Sequence, residues 1–152
     1  MAGVLLHVNS GTVSLVASTA KTVLQIKAPA NQRLLIKGLK LIGNQPAGGT
    51  DSPVMIRITR SSSNFGTGSA ATPAKNDPTD SETIQSTAFA NFSVEPTSPT
   101  DGGLRWPVQP QSGVIEFLPP GMEIKVPGGT SVNFECTSPA TPSLVLTASY
   151  EE

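Results

Sequence analysis

The chain has 152 residues, of which 37% are hydrophobic and only 14% charged, and its formal net charge is −1 at pH 7. This length suits one domain with a single hydrophobic core. A nearly neutral charge balance disfavours disorder, which high net charge promotes, and nucleic-acid binding, which needs clustered cations. No stretch of about 18 apolar residues occurs, so we expect no membrane partner. A low charge content suits a protein that works inside an assembly.

Apolar and polar residues alternate with a period of two along much of the chain, which is typical of half-buried β-strands. Leu24 and Ile26, for example, share one face, while Gln25 and Lys27 take the other. No window keeps the apolar spacing of a helix, and 14 Gly and 14 Pro interrupt the pattern. We therefore predict an all-β fold, a jelly roll or β-sandwich of about eight antiparallel strands. The predicted strands cover residues 13–17, 22–28, 33–42, 53–60, 114–118, 122–126, 131–136 and 143–150, with 87–94 as a further candidate.

The breaks between strands indicate how the chain is organised. We predict one domain over residues 1–152, with an N-terminal arm over 1–10 and a long, polar surface loop over 61–82. Loops longer than about 12–15 residues are usually functional or disordered. A second irregular stretch is expected over 95–113. Links rich in Pro and Gly later in the chain predict that the last four strands form a meander.

The alternation also assigns faces to side chains. In residues 33–42 the inward set changes phase at Gly38, which predicts a β-bulge. Ile115 and Phe117 are expected to face the core, with Glu116 facing solvent. Glu123 and Glu135 are likewise expected on the solvated side of their strands. This placement disfavours a pair of carboxylates that hydrolyses glycosides.

Residues that could perform catalysis are few. His7 is the single histidine, and a position in a terminal arm would not hold it rigidly beside a nucleophile. Cys136, the single cysteine, follows the inward register of its strand and is expected to be a buried, unreactive thiol. Asp77 and Asp80 are too few for a calcium loop. We therefore predict no catalytic residues, no cofactor and no metal site, and a protein that is not an enzyme.

Contact with other proteins is the role that the remaining residues favour. Aromatic residues and Arg are enriched at the energetic centres of interfaces. For Trp106 two interpretations stay open, because it could cap the end of the sandwich or anchor a partner. The candidate interface residues lie in the predicted arm, the long loop and the second irregular stretch: Val4, Leu5, Leu6, His7, Phe65, Arg105 and Trp106.

Several segments taken together resemble the small jelly-roll decoration, or cement, proteins of tailed bacteriophage capsids. The resemblance implies a structural virion protein that sits on the outer surface of the phage head and is assembled in the cytoplasm of the host bacterium. Its partners would be the major capsid protein, whose junctions it cements, and itself, as a homotrimer. The alternative is a head-fibre or receptor- or glycan-binding β-sandwich module. The segments are residues 1–31, 72–88 (TPAKNDPTDSETIQSTA), 93–97 (SVEPT), 106–113 (WPVQPQSG), 117–129 (FLPPGMEIKVPGG) and 148–152 (ASYEE).

Overall fold

The computed structural model describes residues 3–44, 52–97 and 99–152. Within these ranges the chain is all-β without a helix, and thirteen strands form two antiparallel sheets, which confirms the all-β prediction and agrees with a β-sandwich. The strands are β1 (Leu5–Asn9), β2 (Val13–Ser14), β3 (Lys21–Lys27), β4 (Leu34–Asn44), β5 (Val54–Ser61), β6 (Thr67–Ala71), β7 (Ala74–Lys75), β8 (Thr87–Val94), β9 (Thr100–Val108), β10 (Val114–Phe117), β11 (Ile124–Val126), β12 (Ser131–Thr137) and β13 (Ser143–Glu151).

The connections repeatedly cross between the two sheets. The seven-stranded sheet has the order β10-β4-β13-β1-β7, with β11 also paired to β4 and β2 also paired to β13. The six-stranded sheet has the order β6-β8-β3-β12-β5-β9. The predicted C-terminal meander is therefore wrong, because β11, β12 and β13 alternate between sheets. A short link rich in Pro and Gly indicates a turn, but it does not indicate which sheet the next strand joins.

The core lies between the sheets and is built from alternate strand residues. On β13 the side chains of Leu144, Leu146, Ala148 and Tyr150 are fully buried, while the residues that alternate with them are partly exposed. The Tyr150 hydroxyl lies 2.8 Å from Ser86 Oγ, so its polar end is satisfied inside the core. Burial raises the pKa of Tyr150 to about 12. The tyrosine thus acts as a packing residue with one internal hydrogen bond.

The N-terminal segment belongs to the seven-stranded sheet, so the predicted arm is wrong. β1 pairs with β13 on one side and with β7 on the other. The backbone N–H of Val4 donates to the Glu152 oxygen at 3.0 Å, and the Glu152 N–H donates back at 3.0 Å. Leu6 and Val8 point into the core and are almost completely buried. The partner strand of β1 lies at the other end of the chain, so local sequence could not identify the pairing.

The predicted long loop and the second irregular stretch also contain strands. Within residues 61–82, β6 extends the six-stranded sheet at β8, and β7 adds to β1. Within 95–113, β9 forms an edge of the six-stranded sheet beside β5. These segments are rich in Gly and Ala, which strands disfavour, so their pattern carried no strand signal. Pairing with a neighbouring strand stabilises these segments as strands despite their low intrinsic propensity.

The outer face of the six-stranded sheet carries a layer of buried polar side chains centred on Asn133. The Asn133 amide nitrogen donates to Thr59 Oγ1 at 3.2 Å and to Ser61 Oγ at 2.9 Å. Its amide oxygen accepts from Gln25 Nε2 at 2.9 Å and from Ser131 Oγ at 3.1 Å. All the hydrogen-bonding positions of this amide are therefore used, as burial requires.

Glu135 belongs to the same layer, which corrects the expectation that it faces solvent. Its side chain is only 7% exposed. It accepts hydrogen bonds from Thr59 Oγ1 at 2.8 Å and from Arg57 Nε at 3.0 Å. The loop before β6 lies against this face, because Gln25 Nε2 also donates to the Phe65 carbonyl at 3.0 Å. Strand alternation correctly placed Glu135 on the outer face of the sheet. It could not show that a loop lies against that face.

Replacing Glu135 with Ala should lower the free energy of unfolding by about 2–4 kcal/mol, because Thr59 and the partly buried Arg57 lose their acceptor. The matched control is Glu116→Ala, since Glu116 is exposed. That control should change stability by no more than about 0.5 kcal/mol. Urea unfolding of both variants measures the difference, and equal effects would contradict a buried role for Glu135.

Candidate protein interface

β10 presents its two large apolar side chains to solvent, the reverse of the predicted orientation. Ile115 is 59% exposed and Phe117 is 75% exposed. Val114 packs against the core instead, and Glu116 is paired with the buried Leu39. Directly opposed residues share a face, so a strand beside Leu39 must turn Val114 and Glu116 to the inner side. Glu116 nevertheless stays exposed because β10 is an edge strand.

The β-bulge predicted at Gly38 is confirmed, and it lies beneath Phe117. The register between β4 and β13 shifts between Ser149 and Tyr150, which leaves Lys37 as the additional residue. A Cβ added to Gly38 would lie 3.0 Å from Phe117 Cδ1. The absence of a side chain at Gly38 therefore lets the phenyl ring lie against the sheet.

Four exposed apolar side chains on the seven-stranded sheet, Leu5, Ile42, Ile115 and Phe117, form a group that we call the outer patch. Leu5 is 38% exposed and Ile42 is 45% exposed. Phe117 and Leu5 line one shallow hollow of about 430 Å³. Phe117 and Ile115 line a second hollow of about 280 Å³. Single exposed apolar residues are ordinary, whereas a group on one face marks a contact surface.

Beside the outer patch, Lys37 is ion-paired with two carboxylates, whereas the exposed Lys40 opposite Ile115 has no ion pair among the described residues. Lys37 Nζ lies 3.2 Å from Glu123 Oε1 and 2.9 Å from Glu151 Oε2. The hydrogen bond that Lys37 donates to Glu151 is the main reason that the pKa of Lys37 is raised, and the same bond lowers the pKa of Glu151. Glu123 was expected on a solvated face, but its side chain is only 10% exposed. An apolar surface beside paired charges is easier to desolvate than one beside free charges.

His7 has two side-chain partners that sequence reasoning missed. His7 Nδ1 lies 2.8 Å from Ser149 Oγ, and His7 Nε2 lies 2.9 Å from Asn76 Oδ1. An amide oxygen at Nε2 needs a proton there, so Nδ1 accepts from the Ser149 hydroxyl. The arrangement has the order of nucleophile, base and orienting group that some hydrolases use. The partners are far apart in sequence, so no motif could have revealed them.

Hydrolysis at Ser149 would also need donors for a developing oxyanion. β13 is paired with β1 on one side and with β4 on the other, so its backbone N–H groups are used in the sheet. Lys37 lines the same hollow, but Glu123 and Glu151 already hold its ammonium group. The geometry therefore favours a structural cross-strand pair between His7 and Ser149.

The predicted interface residues are not brought together. Val4 and Leu6 are buried, so neither can contact a partner. Leu5 and His7 lie on the outer face of the seven-stranded sheet and line the larger hollow with Phe117. Sequence reasoning missed Ile42, Ile115 and Phe117 as surface residues. The one sign in the sequence that either face of β10 could be buried was the presence of apolar residues on both faces.

The remaining candidates lie in or beside the six-stranded sheet. Phe65 is half-buried, and its ring centre lies 4.1 Å from Lys27 Nζ. Arg105 is exposed on the edge strand β9. Trp106 pairs with Ile56 and packs against the core, and its buried indole N–H has no hydrogen-bond partner among the described residues. This packing favours the interpretation of Trp106 as a cap.

Cys136 is fully buried, which confirms its predicted inward orientation. Burial raises the pKa of its thiol to about 12, so the thiolate is scarce at neutral pH. The described ranges contain no group of three or more His, Cys, Asp or Glu that could hold a metal ion. In the same ranges no helix is long and apolar enough to cross a membrane.

No protein-family model matches the chain, and neither a curated protein nor a solved structure matches it significantly. The function is therefore inferred from the surface of the molecule, together with the resemblance in sequence. Among the features described above, the outer patch is the one whose chemistry changes most when a partner covers it.

Lys37→Met should weaken the loss of stability in acid. The pKa of Glu151 is lowered chiefly by Lys37, and the pKa of Glu123 is lowered by its own backbone N–H and then by Lys37. Such carboxylates stabilise the fold above their unfolded pKa, about 4.3, and this contribution is lost as the pH falls through the lower folded value. Thermal unfolding from pH 7 to pH 2.5 should therefore show a smaller fall in Tm for the variant. Lys40→Met is the control, because Lys40 is exposed and has no ion pair among the described residues.

Ser149 should not react with a fluorophosphonate probe, because the backbone N–H groups of β13 and the ammonium group of Lys37 are already engaged, so the described part of the chain arranges no free donors for an oxyanion. Intact-mass measurement after incubation would detect a single adduct. The matched control is Ser143→Ala, since Ser143 lies on the same strand and its Oγ is 3.0 Å from Ser14 Oγ. An adduct that disappears in Ser149→Ala and His7→Gln but persists in Ser143→Ala would contradict the structural interpretation.

Proposed function

We propose that the protein is a structural virion protein that binds the outer surface of a phage head and cements the junctions between coat proteins. The observation that supports this proposal best is the exposure of Ile115 and Phe117 on a regular sheet face. Covering apolar surface contributes about 25 cal/mol per Å². Side chains on paired strands are already ordered, so binding them costs less conformational entropy than binding a loop. Adhesion requires an exposed apolar surface of this kind and does not require catalytic residues.

We also propose that the sandwich is a jelly roll. Supporting this, eight of the strands have the order β1-β13-β4-β10 in one sheet and β3-β12-β5-β9 in the other, and the chain crosses between the sheets at most connections. Viral capsid proteins are among the proteins that use this architecture. On this view β6, β7 and β8 are an insertion that widens both sheets.

The resemblance in sequence supports two further parts of the proposal. The partner is the major capsid protein, and the protein acts as a homotrimer on the outside of the virion after assembly in the host cytoplasm. A trimer that touches several coat subunits gains avidity, so each contact can be small. Light scattering after size-exclusion chromatography tests the trimer, and a monomer both in concentrated solution and on the shell would contradict it.

Glycan or receptor binding through Trp106 is less well supported. A platform for a sugar ring needs an open aromatic face, whereas Trp106 packs against the core. Its neighbour Arg105 is ion-paired with Asp101. We therefore retain adhesion as the proposed function.

The test is co-sedimentation of the purified protein with expanded, empty heads of the phage that encodes it. The wild type should bind, and Ile115→Ser combined with Phe117→Ser should weaken binding by at least about tenfold, because the central side chains of interfaces dominate affinity. Met55→Ser is the matched control, since Met55 is 43% exposed on β5 in the other sheet. Failure of the wild type to bind would contradict the function, and equal binding by the double variant would exclude the outer patch.

A further inference from the structure

The outer edge of β10 lies beside the outer patch and is paired with no strand of the described residues. We propose that this edge accepts an extended segment of the coat protein as an added strand, and that the segment has the pattern apolar, cationic, apolar. The identity of the partner rests on the proposed function, whereas the pattern rests on the residues of β10. Addition of a strand uses main-chain hydrogen bonds for affinity and alternate side chains for specificity.

Backbone groups of β10 are available along this edge. The Leu118 N–H donates toward β4, to the Lys37 carbonyl, at 2.8 Å. Successive N–H groups of a strand point to opposite sides, so those of Ile115 and Phe117 point away from β4. β10 ends the seven-stranded sheet, and no strand of the described residues lies beyond it. The same two residues thus offer both the free N–H groups and the exposed apolar side chains.

The other sheet edges carry features that oppose strand addition. β9 contains Pro107 and the exposed Arg105. β11 is three residues long and carries the exposed Lys125, while β2 and β7 have two residues each. β6 has a register shift around Gly68. β10 has four residues and contains no Pro, Gly or Lys, so its single charged residue, Glu116, is the feature that selects which strand can pair with it.

Glu116 specifies the centre of the pattern. It is exposed and has no ion pair among the described residues. A strand added beside β10 would place one side chain opposite Glu116 on the inner face, where a cation forms a favourable cross-strand pair. The side chains opposite Ile115 and Phe117 would lie on the outer face, where apolar residues extend the outer patch.

A second copy of β10 fits this edge poorly. If Ile115 of one copy lies opposite Phe117 of the other, the two Glu116 carboxylates face each other, which is unfavourable. Sliding the strands by two residues in one direction separates the carboxylates but places Phe117 opposite Gly113, which leaves the ring without a partner. Sliding them in the other direction pairs the two Phe117 rings but places Ile115 opposite Pro119, which has no N–H for the added ladder. The charge pattern therefore favours a different chain.

Hydrogen exchange on the full chain, free and bound to expanded heads, tests the proposal. Exchange in the peptide that contains Ile115 and Phe117 should slow by at least about tenfold on the heads, as expected for N–H groups that enter a sheet. Glu116→Lys should weaken head binding by about fivefold to tenfold, whereas the exposed Glu82→Lys should not. If the wild type binds heads with unchanged exchange in β10, and Glu116→Lys binds equally well, strand addition is overturned while the proposed function stands.

A second measurement does not depend on heads. The ¹⁵N-labelled full chain is titrated with the peptide acetyl-Thr-Val-Lys-Val-Thr-amide and with its counterpart that carries Glu in place of Lys. The amide signals of Ile115 and Phe117 should shift, with the Lys peptide binding about fivefold to tenfold more tightly. Equal affinities, or shifts elsewhere, overturn the pattern. Shifts of the same signals on diluting the chain alone would show that a second copy occupies the edge, which also overturns the proposal.

Discussion

The register of β4 is the constraint on which the surface of this protein depends. β4 pairs with β13 on one side and with β10 and β11 on the other. Because Leu39 and Leu41 are held in the core, the period of two leaves β10 a single orientation, with Ile115 and Phe117 outside. The bulge near Gly38 adjusts the same strand and leaves room for the phenyl ring. The outer patch and the orientation of β10 both follow from this register.

The two outer faces of the sandwich differ in how much binding free energy a contact with a partner could provide. On the six-stranded sheet the polar layer around Asn133 and Glu135 is already satisfied and partly covered by a loop, so a new contact would add little. On the seven-stranded sheet the apolar side chains are open, and the neighbouring charges of Lys37, Glu123 and Glu151 are paired. Burial of the second face releases water from apolar surface, but it also requires an acceptor on the partner for Lys40, which lies opposite Ile115 without an ion pair among the described residues.

Local pattern was enough to predict a large part of the fold. The period of two identified β3, β4, β5, β12 and β13, the change of phase at Gly38 located the bulge, and the inward register of Cys136 was correct. It failed where the stabilising partner is distant or where a segment has little strand propensity, as in β1, β6 and β9. It also failed at Glu135, because polarity alone cannot show that Arg57 and Thr59 on the neighbouring strand hold the carboxylate against the sheet. The patch was missed for a related reason, since the partner of β10 decides its orientation.

The sequence by itself determined that the chain forms strands and which residues can share a face, because alternation is a property of neighbouring residues. It also determined that the chain has a single histidine and a single cysteine. Only the tertiary structure decided which of two apolar faces of β10 is buried, that the N-terminal segment is a sheet strand, and that His7 meets Ser149 and Asn76. Those outcomes depend on register between strands that are distant in the chain, and a shift of one residue would have reversed them.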